Sequence, residues 1–176
     1  MKYFVMASAL ALPLSMGTAL YAAGGGDETA PSKPKCKKGQ VYDKKTKACV
    51  SAEESHLDTD TLYQTVRQLA YAGRYDDAQT VLAAMPQDDD RTLTYLGFTN
   101  RKMGKTDLAM SYYNRALVVN PANVLARSYM GQGFVEEGRV AEALEQLRLI
   151  RSHGGSDTWA EASLRTAIAA GRTYNY

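Results

Sequence analysis

The sequence predicts an all-α protein of stacked helix-turn-helix units, with a small two-cysteine hairpin in front of them. Three segments after residue 59 align, each with a Gly followed five residues later by an Ala, and they lie about a helix pair apart. A last segment, 158–171, has apolar residues at helical spacing, as expected of a helix that closes a stack. The two cysteines, Cys36 and Cys49, lie close together in a lysine-rich stretch before the first motif.

The chain begins with the pattern of an export signal. Lys2 supplies a positive charge, an apolar run covers 3–20, and the small residues that follow favour cleavage near Ala22 or Ala23. We therefore expect a cleaved signal peptide over 1–23 and a periplasmic or secreted protein. The alternative is an N-terminal membrane anchor, since the apolar run approaches the roughly 20 residues that span a bilayer.

The composition changes along the rest of the chain, which indicates two modules. Lysine supplies the basic charge up to residue 52, whereas eleven arginines and only two lysines follow Thr59. The Gly- and Pro-containing stretch 24–35 is expected to be a flexible linker. In an exported protein the close pair Cys36 and Cys49 is expected to form a disulfide. Because the closed loop is short, its contribution to stability is about 3 kcal/mol.

Segment 36–50 is expected to be a basic hairpin pinned by this disulfide, with strands over 40–42 and 47–50 and a turn between them. It resembles short two-cysteine modules of many secreted proteins, some of which bind polysaccharide. One interpretation is a solvated hairpin that spaces the repeats from the membrane. The other is that its lysines contact an anionic envelope surface of phospholipid or cell-wall polymer.

Three short segments mark the repeat units. Their glycines are Gly73, Gly104 and Gly138, and we expect each to end the first helix of its unit, because Gly tolerates the left-handed conformation there. The Ala residues of the second and third segments, Ala109 and Ala143, are 34 residues apart, which is a known helical-repeat period.

The middle unit carries the fullest set of matches. Leu96, Gly97, Tyr113 and Pro121 stand at the spacing of the tetratricopeptide-repeat (TPR) family. From about residue 59 to 157 the chain resembles this family, which implies antiparallel helix pairs stacked in a right-handed superhelical array. The expected units are TPR 1, which is degenerate, at 59–89, TPR 2 at 90–123, TPR 3 at 124–157 and a C-terminal capping helix at 158–171.

Two expectations concern the packing of these helices. Gly97 and Gly131 lack side chains, so each should let the paired helix of its unit approach closely. Ser156-Asp157 should cap the start of the last helix, because Ser and Asp side chains accept hydrogen bonds from the first free N–H groups.

The TPR resemblance also implies a concave groove lined by the first helix of each unit. The groove positions are Tyr63, Arg67 and Tyr71 in the first unit, Tyr95, Phe98, Arg101 and Lys102 in the second, and Tyr129 and Gln132 in the third. Because Tyr and Arg are common at interface hot spots, we expect a peptide or partner protein with acidic and apolar side chains. The alternative is that each tyrosine packs on a neighbouring helix.

The sequence predicts no catalysis, no metal site and no cofactor. Neither His56 nor His153 has a recognisable nucleophile, metal partner set or orienting group beside it. The three acids of 88–90 do not follow the alternating pattern of calcium loops and are expected to form a solvated loop, with Asp90 near a helix start. Nucleic-acid binding is not expected, because the repeats carry no net positive charge.

The sequence therefore favours a periplasmic adaptor that binds a peptide or partner protein in its groove. The alternative is an envelope-attached module whose Lys-rich hairpin binds cell-wall polymer or lipid, with the repeats as a scaffold or oligomerisation surface. The identity of the partner and the oligomeric state are left open by the sequence.

Overall fold

The computed structural model describes residues 36–53 and 56–173 as a two-stranded hairpin followed by seven helices. The strands are β1 (Gln40–Asp43) and β2 (Ala48–Ser51). The helices are α1 (Thr59–Tyr71), α2 (Tyr75–Ala83), α3 (Asp90–Lys102), α4 (Thr106–Val119), α5 (Val124–Glu136), α6 (Val140–Ser152) and α7 (Trp159–Ala170). The predicted helical-repeat fold with a disulfide hairpin is confirmed, while the predicted signal peptide and linker lie outside the described residues.

Each odd-numbered helix begins at a polar side chain that accepts a hydrogen bond from a backbone N–H of its first turn. These N-caps are Asp58, Asp89, Asn123 and Thr158. The cap of α7 is therefore Thr158, and the prediction of Ser156-Asp157 was wrong by one or two positions. Asp157 instead has a left-handed backbone, with φ of 61°, and turns the chain just before the cap.

The first helix of each pair ends as predicted. Gly73, Gly104 and Gly138 have φ of 74°, 80° and 74°, a conformation that other residues adopt only with strain. In each case the next residue donates its N–H to a carbonyl five positions back, as Arg74 does to Leu69 at 2.9 Å. This bond satisfies a free carbonyl of the helix end and directs the chain into the second helix.

Two glycines inside the odd helices allow close packing, but against different neighbours. A Cβ at Gly97 would collide with the ring of Tyr113 on α4, the paired helix, as predicted. A Cβ at Gly131 would lie 2.6 Å from Leu164 on α7. The same Cβ would lie 3.3 Å from Gln146 Cβ on the paired helix α6, so the prediction for Gly131 holds in part, although its closest neighbour is a side chain of the capping helix.

The hairpin packs on the first helix pair. The Cys36–Cys49 disulfide is present as predicted. Val41 of β1 is fully buried in the same core as Val66 of α1 and Val81 of α2. The interpretation of the hairpin as a solvated spacer is therefore wrong on this side, because the hairpin covers the apolar end that an unpaired first unit would leave in water.

The helices form two layers. Successive odd helices contact one another, from α1 to α3, α5 and α7, whereas within the described helices each even one contacts mainly the odd helices beside it. The odd layer is thus the more closely packed. We call the surface of α1, α3, α5 and α7 that faces away from the even helices the inner face. None of the described helices is both long and apolar enough to cross a membrane.

Candidate functional site

The inner face, together with Tyr75 at the start of α2, carries a continuous set of aromatic rings. The aromatic ladder, as we name this set, has neighbouring ring centroids 4.7 to 6.4 Å apart. Its members are Tyr63 and Tyr71 of α1, Tyr75 of α2, Tyr95 and Phe98 of α3, Tyr129 of α5 and Trp159 of α7. The ladder reaches all four inner helices and so connects every unit of the array.

Three tyrosine hydroxyls join the ladder by hydrogen bonds. Tyr95 donates its hydroxyl proton to the Tyr71 oxygen at 3.1 Å, and the Tyr71 and Tyr129 oxygens are 2.9 Å apart. Burial raises the pKa of Tyr95 and of Tyr129, and the neighbouring phenols raise both further. The phenols of Tyr95 and Tyr129 therefore stay neutral near pH 7. The hydrogen bonds among the three hydroxyls link α1, α3 and α5 as a polar network inside an aromatic layer.

The predicted groove residues separate into two groups by exposure. Five of them are buried, with Tyr95, Tyr129 and Gln132 at 0 % exposure, Phe98 at 1 % and Arg101 at 4 %. The other four, which are Tyr63, Arg67, Tyr71 and Lys102, are partly exposed. The five buried residues form a floor beneath the four partly exposed ones and do not line an open groove. For Tyr95 and Tyr129, the alternative prediction, that each tyrosine packs on a neighbouring helix, is therefore the correct description.

Arg67 supplies a positive charge at the exposed edge of the ladder. Its guanidinium lies 6.0 Å from the centroid of the Tyr63 ring and 5.9 Å from that of Tyr71. Burial alone would lower the pKa of Arg67, but the phenol oxygens of Tyr95, Tyr71 and Tyr63 raise it overall. Among the described residues no carboxylate forms an ion pair with this guanidinium. The charge is therefore held by aromatic faces, which leaves it able to attract an acidic group from outside.

Arg101 is a structural cation below the inner face. Its Nη1 donates to Glu136 Oε1 at 2.6 Å while its side chain is wholly buried. Gly133 makes room for it, since a Cβ there would lie 3.2 Å from Arg101 Cδ. The neighbouring Lys102 places its Nζ 5.8 Å from the Phe98 ring centroid, and burial, followed by the charge of Arg101, lowers the pKa of Lys102.

Several residues of the site were not predicted from the sequence. Trp159 lies in the segment that the sequence predicts only as a capping helix, yet its ring is 6.1 Å from that of Tyr129. Tyr75 lies on α2, outside the first helices from which groove positions were taken. Arg91 lies 5.0 Å from the Tyr63 ring centroid and also binds Asp60. In the sequence, only the closely spaced pair Gly131 and Gly133 indicates that α5 packs closely against its neighbours.

Two acidic residues of the predicted loop and one histidine make local contacts within the fold. Asp89 caps α3, and Asp90 accepts hydrogen bonds from Asn120 and Asn123 at 2.7 and 2.8 Å. His153 is exposed, with Nδ1 2.8 Å from the Leu149 carbonyl oxygen. Over 36–53 and 56–173 no group of three or more His, Cys, Asp or Glu side chains is placed to hold a metal ion.

The hairpin presents a second, basic surface. Its lysines in the described residues are all exposed, namely Lys37, Lys38, Lys44, Lys45 and Lys47. A cleft of about 730 Å³ separates the hairpin turn from the start of α1, and Lys44 and Lys45 line it together with His56. The carboxylate of Asp43 is occupied by the turn itself, because the hydroxyl and N–H of Thr46 and the N–H of Lys45 donate to it. The same bonds lower the pKa of Asp43.

Comparison with known proteins identifies the fold of this chain. No protein-family model matches the chain, and no curated protein matches it in sequence. The type III secretion translocator chaperone SycD of Yersinia enterocolitica is similar in structure, with a TM-score of 0.53 and 22 % identity over 66 % of this chain and 86 % of that one. An alternative dimer of SycD has a TM-score of 0.53 and 24 % identity over 66 % of this chain and 92 % of that one.

A third similar structure holds a peptide. It is SycD in complex with a peptide of the translocator YopD, with a TM-score of 0.51 and 24 % identity over 66 % of this chain and 93 % of that one. At such identities the likeness shows the fold alone. The chain is thus a short helical-repeat array of the kind seen in SycD, preceded by a disulfide hairpin.

Proposed function

We propose that this chain is a non-catalytic adaptor of the TPR type, which binds a segment of a partner protein on its inner face. The observation that carries the proposal is the aromatic ladder with its partly exposed edge of Tyr63, Arg67, Tyr71 and Lys102. Tyr and Arg side chains that are already fixed by their neighbours lose little conformational freedom on binding, which favours affinity.

The chemistry of this edge defines the partner segment. Arg67 and Lys102 favour an acidic side chain, and the faces of Tyr63 and Tyr71 favour apolar or aromatic ones. We infer an extended or helical peptide with both. That SycD, a protein of similar fold, is seen with a bound translocator peptide supports a peptide ligand for this array.

Photo-crosslinking in cells tests the proposal. The partly exposed Tyr63 is replaced by p-benzoylphenylalanine, and the matched control carries the same group at Val118 of α4, which is 83 % exposed on the outer layer. A protein captured from position 63 and absent at position 118 is the expected result, with the adduct on an acidic and apolar segment. Equal capture at both positions would remove the inner face as the binding site.

We also propose that the chain works outside the cytosol, in the periplasm or as a secreted protein. The signal-like sequence over 1–23 and the Cys36–Cys49 disulfide support this location. Cell fractionation followed by N-terminal sequencing is the test. The expected mature chain starts near residue 23 or 24, whereas an intact N-terminus in the membrane fraction would indicate an anchor instead.

The exposed lysines of the hairpin favour a second candidate function, which is contact with an anionic envelope surface. Flotation with vesicles of phosphatidylglycerol, compared with phosphatidylcholine, tests it. Replacing Lys37, Lys44 and Lys45 by Gln should abolish flotation with the anionic vesicles, while Lys105→Gln on the repeats should not. Flotation that is unchanged by the hairpin substitutions would remove this candidate.

A further inference from the structure

The aromatic ladder contains one row of rings that crosses all four inner helices. Successive ring centroids in this row are 5.6, 6.1 and 6.1 Å apart, and its members in order are Tyr63, Tyr95, Tyr129 and Trp159. The two middle rings are fully buried, whereas Tyr63 is partly exposed and Trp159 is 44 % exposed. A ligand on the inner face therefore meets this row at its two ends, which are at most about 18 Å apart.

The Tyr63 end of the row is basic. Two guanidinium groups flank this ring, with Arg91 5.0 Å and Arg67 6.0 Å from its centroid. Arg91 is bound to Asp60 at 2.7 Å. Arg67, in contrast, forms no ion pair with any carboxylate in the part of the chain that the structure describes. At this end Arg67 is therefore the cation that an acidic side chain of a ligand would bind.

The Trp159 end of the row is apolar. Its helix, α7, carries two charged side chains, Glu161 and Arg165, whose Oε2 and Nε atoms lie 3.5 Å apart. Glu161 also accepts a hydrogen bond from Arg151 of α6 at 2.5 Å. These charges are thus engaged on the side of α6, an outer helix, whereas the Trp159 ring lies against Tyr129 on the inner face. The exposed part of the Trp159 ring suits a large apolar side chain.

We propose that the array recognises an extended segment with an acidic and a large apolar side chain four or five positions apart. The inference rests on the adaptor function proposed above and adds the spacing. The acidic side chain binds Arg67 beside Tyr63, and the apolar one packs on Trp159. Extended backbone advances about 3.3 Å per residue, so four or five residues cover the distance between the two ends.

A helical segment fits the same distance less well. A helix advances about 1.5 Å per residue, so about twelve residues would be needed between the two side chains. An isolated helix of that length is marginal in water, and its ordering would have to be driven by the two end contacts. The extended segment reaches both ends with fewer than half as many residues to order.

Selection from a phage-displayed library of random sixteen-residue peptides tests the spacing on the purified chain. Enriched peptides should pair Asp or Glu with Leu, Phe or Trp at a separation of four or five, at least threefold more often than the unselected library. Selection on Arg67→Gln should lose the acidic preference and selection on Trp159→Ala the apolar one, while Arg115→Gln on α4 keeps both. Enrichment with no preferred separation, or with a separation of ten or more, would overturn the inference.

The fluorescence of Trp159, the single tryptophan of the chain, gives a second readout. An enriched peptide without Trp should shift the emission to shorter wavelength, and replacing its apolar residue by Ala should remove the shift. Replacing its acidic residue by the amide should weaken Kd at least fivefold in the unchanged chain and leave it unchanged in Arg67→Gln. Binding without any change in emission contradicts contact with Trp159.

The outcomes separate this inference from the adaptor function. A peptide that depends on Arg67 but not on Trp159 would refute the spacing and leave the adaptor function standing. Peptides that bind all the variants equally would contradict both. Circular dichroism checks that each variant keeps its helices, and if Trp159→Ala loses them, the emission of the unchanged chain decides the matter.

Discussion

The two central inner helices, α3 and α5, differ sharply from the outer helices α4 and α6 in how much of each is buried. Nine of the thirteen residues of α3 and ten of the thirteen of α5 are buried, but only three in each of α4 and α6. Each of these two helices is covered by its own outer helix, by both neighbouring inner helices and by the aromatic ladder. The difference teaches that the inner face is part of the main hydrophobic core of the protein, with one exposed edge, and that the outer layer is mostly surface.

The largest expected effect is a cavity in the ladder. Phe98→Ala should lower the free energy of unfolding by about 3–5 kcal/mol, because the ring contacts Tyr71, Tyr95 and Tyr129 in a close-packed layer. Leu144→Ala on α6, where the side chain is 50 % exposed, should cost less than about 1 kcal/mol. Urea unfolding followed by circular dichroism compares the two, and equal costs would break the distinction between the layers.

The next largest effect is expected from removing the disulfide that pins the hairpin. Replacing Cys36 and Cys49 by Ser should lower stability by about 2–4 kcal/mol, because the unfolded chain gains freedom and Val41 is held less firmly on α1 and α2. The helical circular dichroism signal should persist in native buffer. Tyr42→Ala on the exposed side of the same hairpin is the matched control and should change stability by less than about 0.5 kcal/mol. A hairpin that did not cap the array would leave its thermal midpoint unchanged.

A smaller cost is expected from filling the inner contact between α5 and α7. Gly131→Ala should destabilise by about 1–3 kcal/mol, because the new methyl group meets Leu164. Leu164→Ala in the same chain should recover part of that cost, so the double variant is less unstable than the sum of the two single ones. For Gly138→Ala, where backbone conformation is the cause, Leu164→Ala should give no recovery. A double-mutant cycle from urea unfolding measures both.

The smallest expected effect concerns how the stability of the protein depends on pH. Burial raises the pKa of Tyr95 and Tyr129, and raises that of Tyr113 to about 12. The unfolded chain releases these protons near pH 10 while the folded chain keeps them, so stability is full below about pH 10 and falls as the pH rises towards the folded values. The pKa of Lys102 is lowered instead, so its contribution to stability changes with pH in the opposite direction, but it is one group against these three tyrosines. Thermal midpoints between pH 9 and 12 should fall less steeply for Tyr129→Phe than for the unchanged chain.

Much of this fold was predictable because local geometry repeats along the chain. The positions of Gly73, Gly104 and Gly138 each demand a left-handed backbone, so their spacing alone indicates where helices turn. The cap of α7 was missed because neighbouring Ser, Asp and Thr residues are all good caps, and only the backbone distinguishes Thr158. The docking of Val41 was missed because a single apolar residue does not indicate which surface it covers.

The sequence predicts which residues lie on the inner face, but it does not predict how exposed each of them is. The spacing places Tyr95 and Tyr129 on the correct side of their helices. Whether such side chains face water depends on how closely successive helices approach and on whether a neighbouring hydroxyl is within reach. Tyr71 reaches from α1 to Tyr129 on α5, a contact between residues 58 apart in sequence. No local pattern encodes that approach, so the buried floor emerges only from the packed array.

The most direct measurement is the affinity of the inner face for the segment captured by cross-linking at position 63. A synthetic peptide of that segment is titrated into the unchanged chain, into Arg67→Glu and into Arg115→Glu, whose charge lies on the outer helix α4. The expected result is at least a tenfold weaker Kd for Arg67→Glu and an unchanged Kd for Arg115→Glu. Equal affinity for all three chains would contradict binding at the exposed edge of the aromatic ladder.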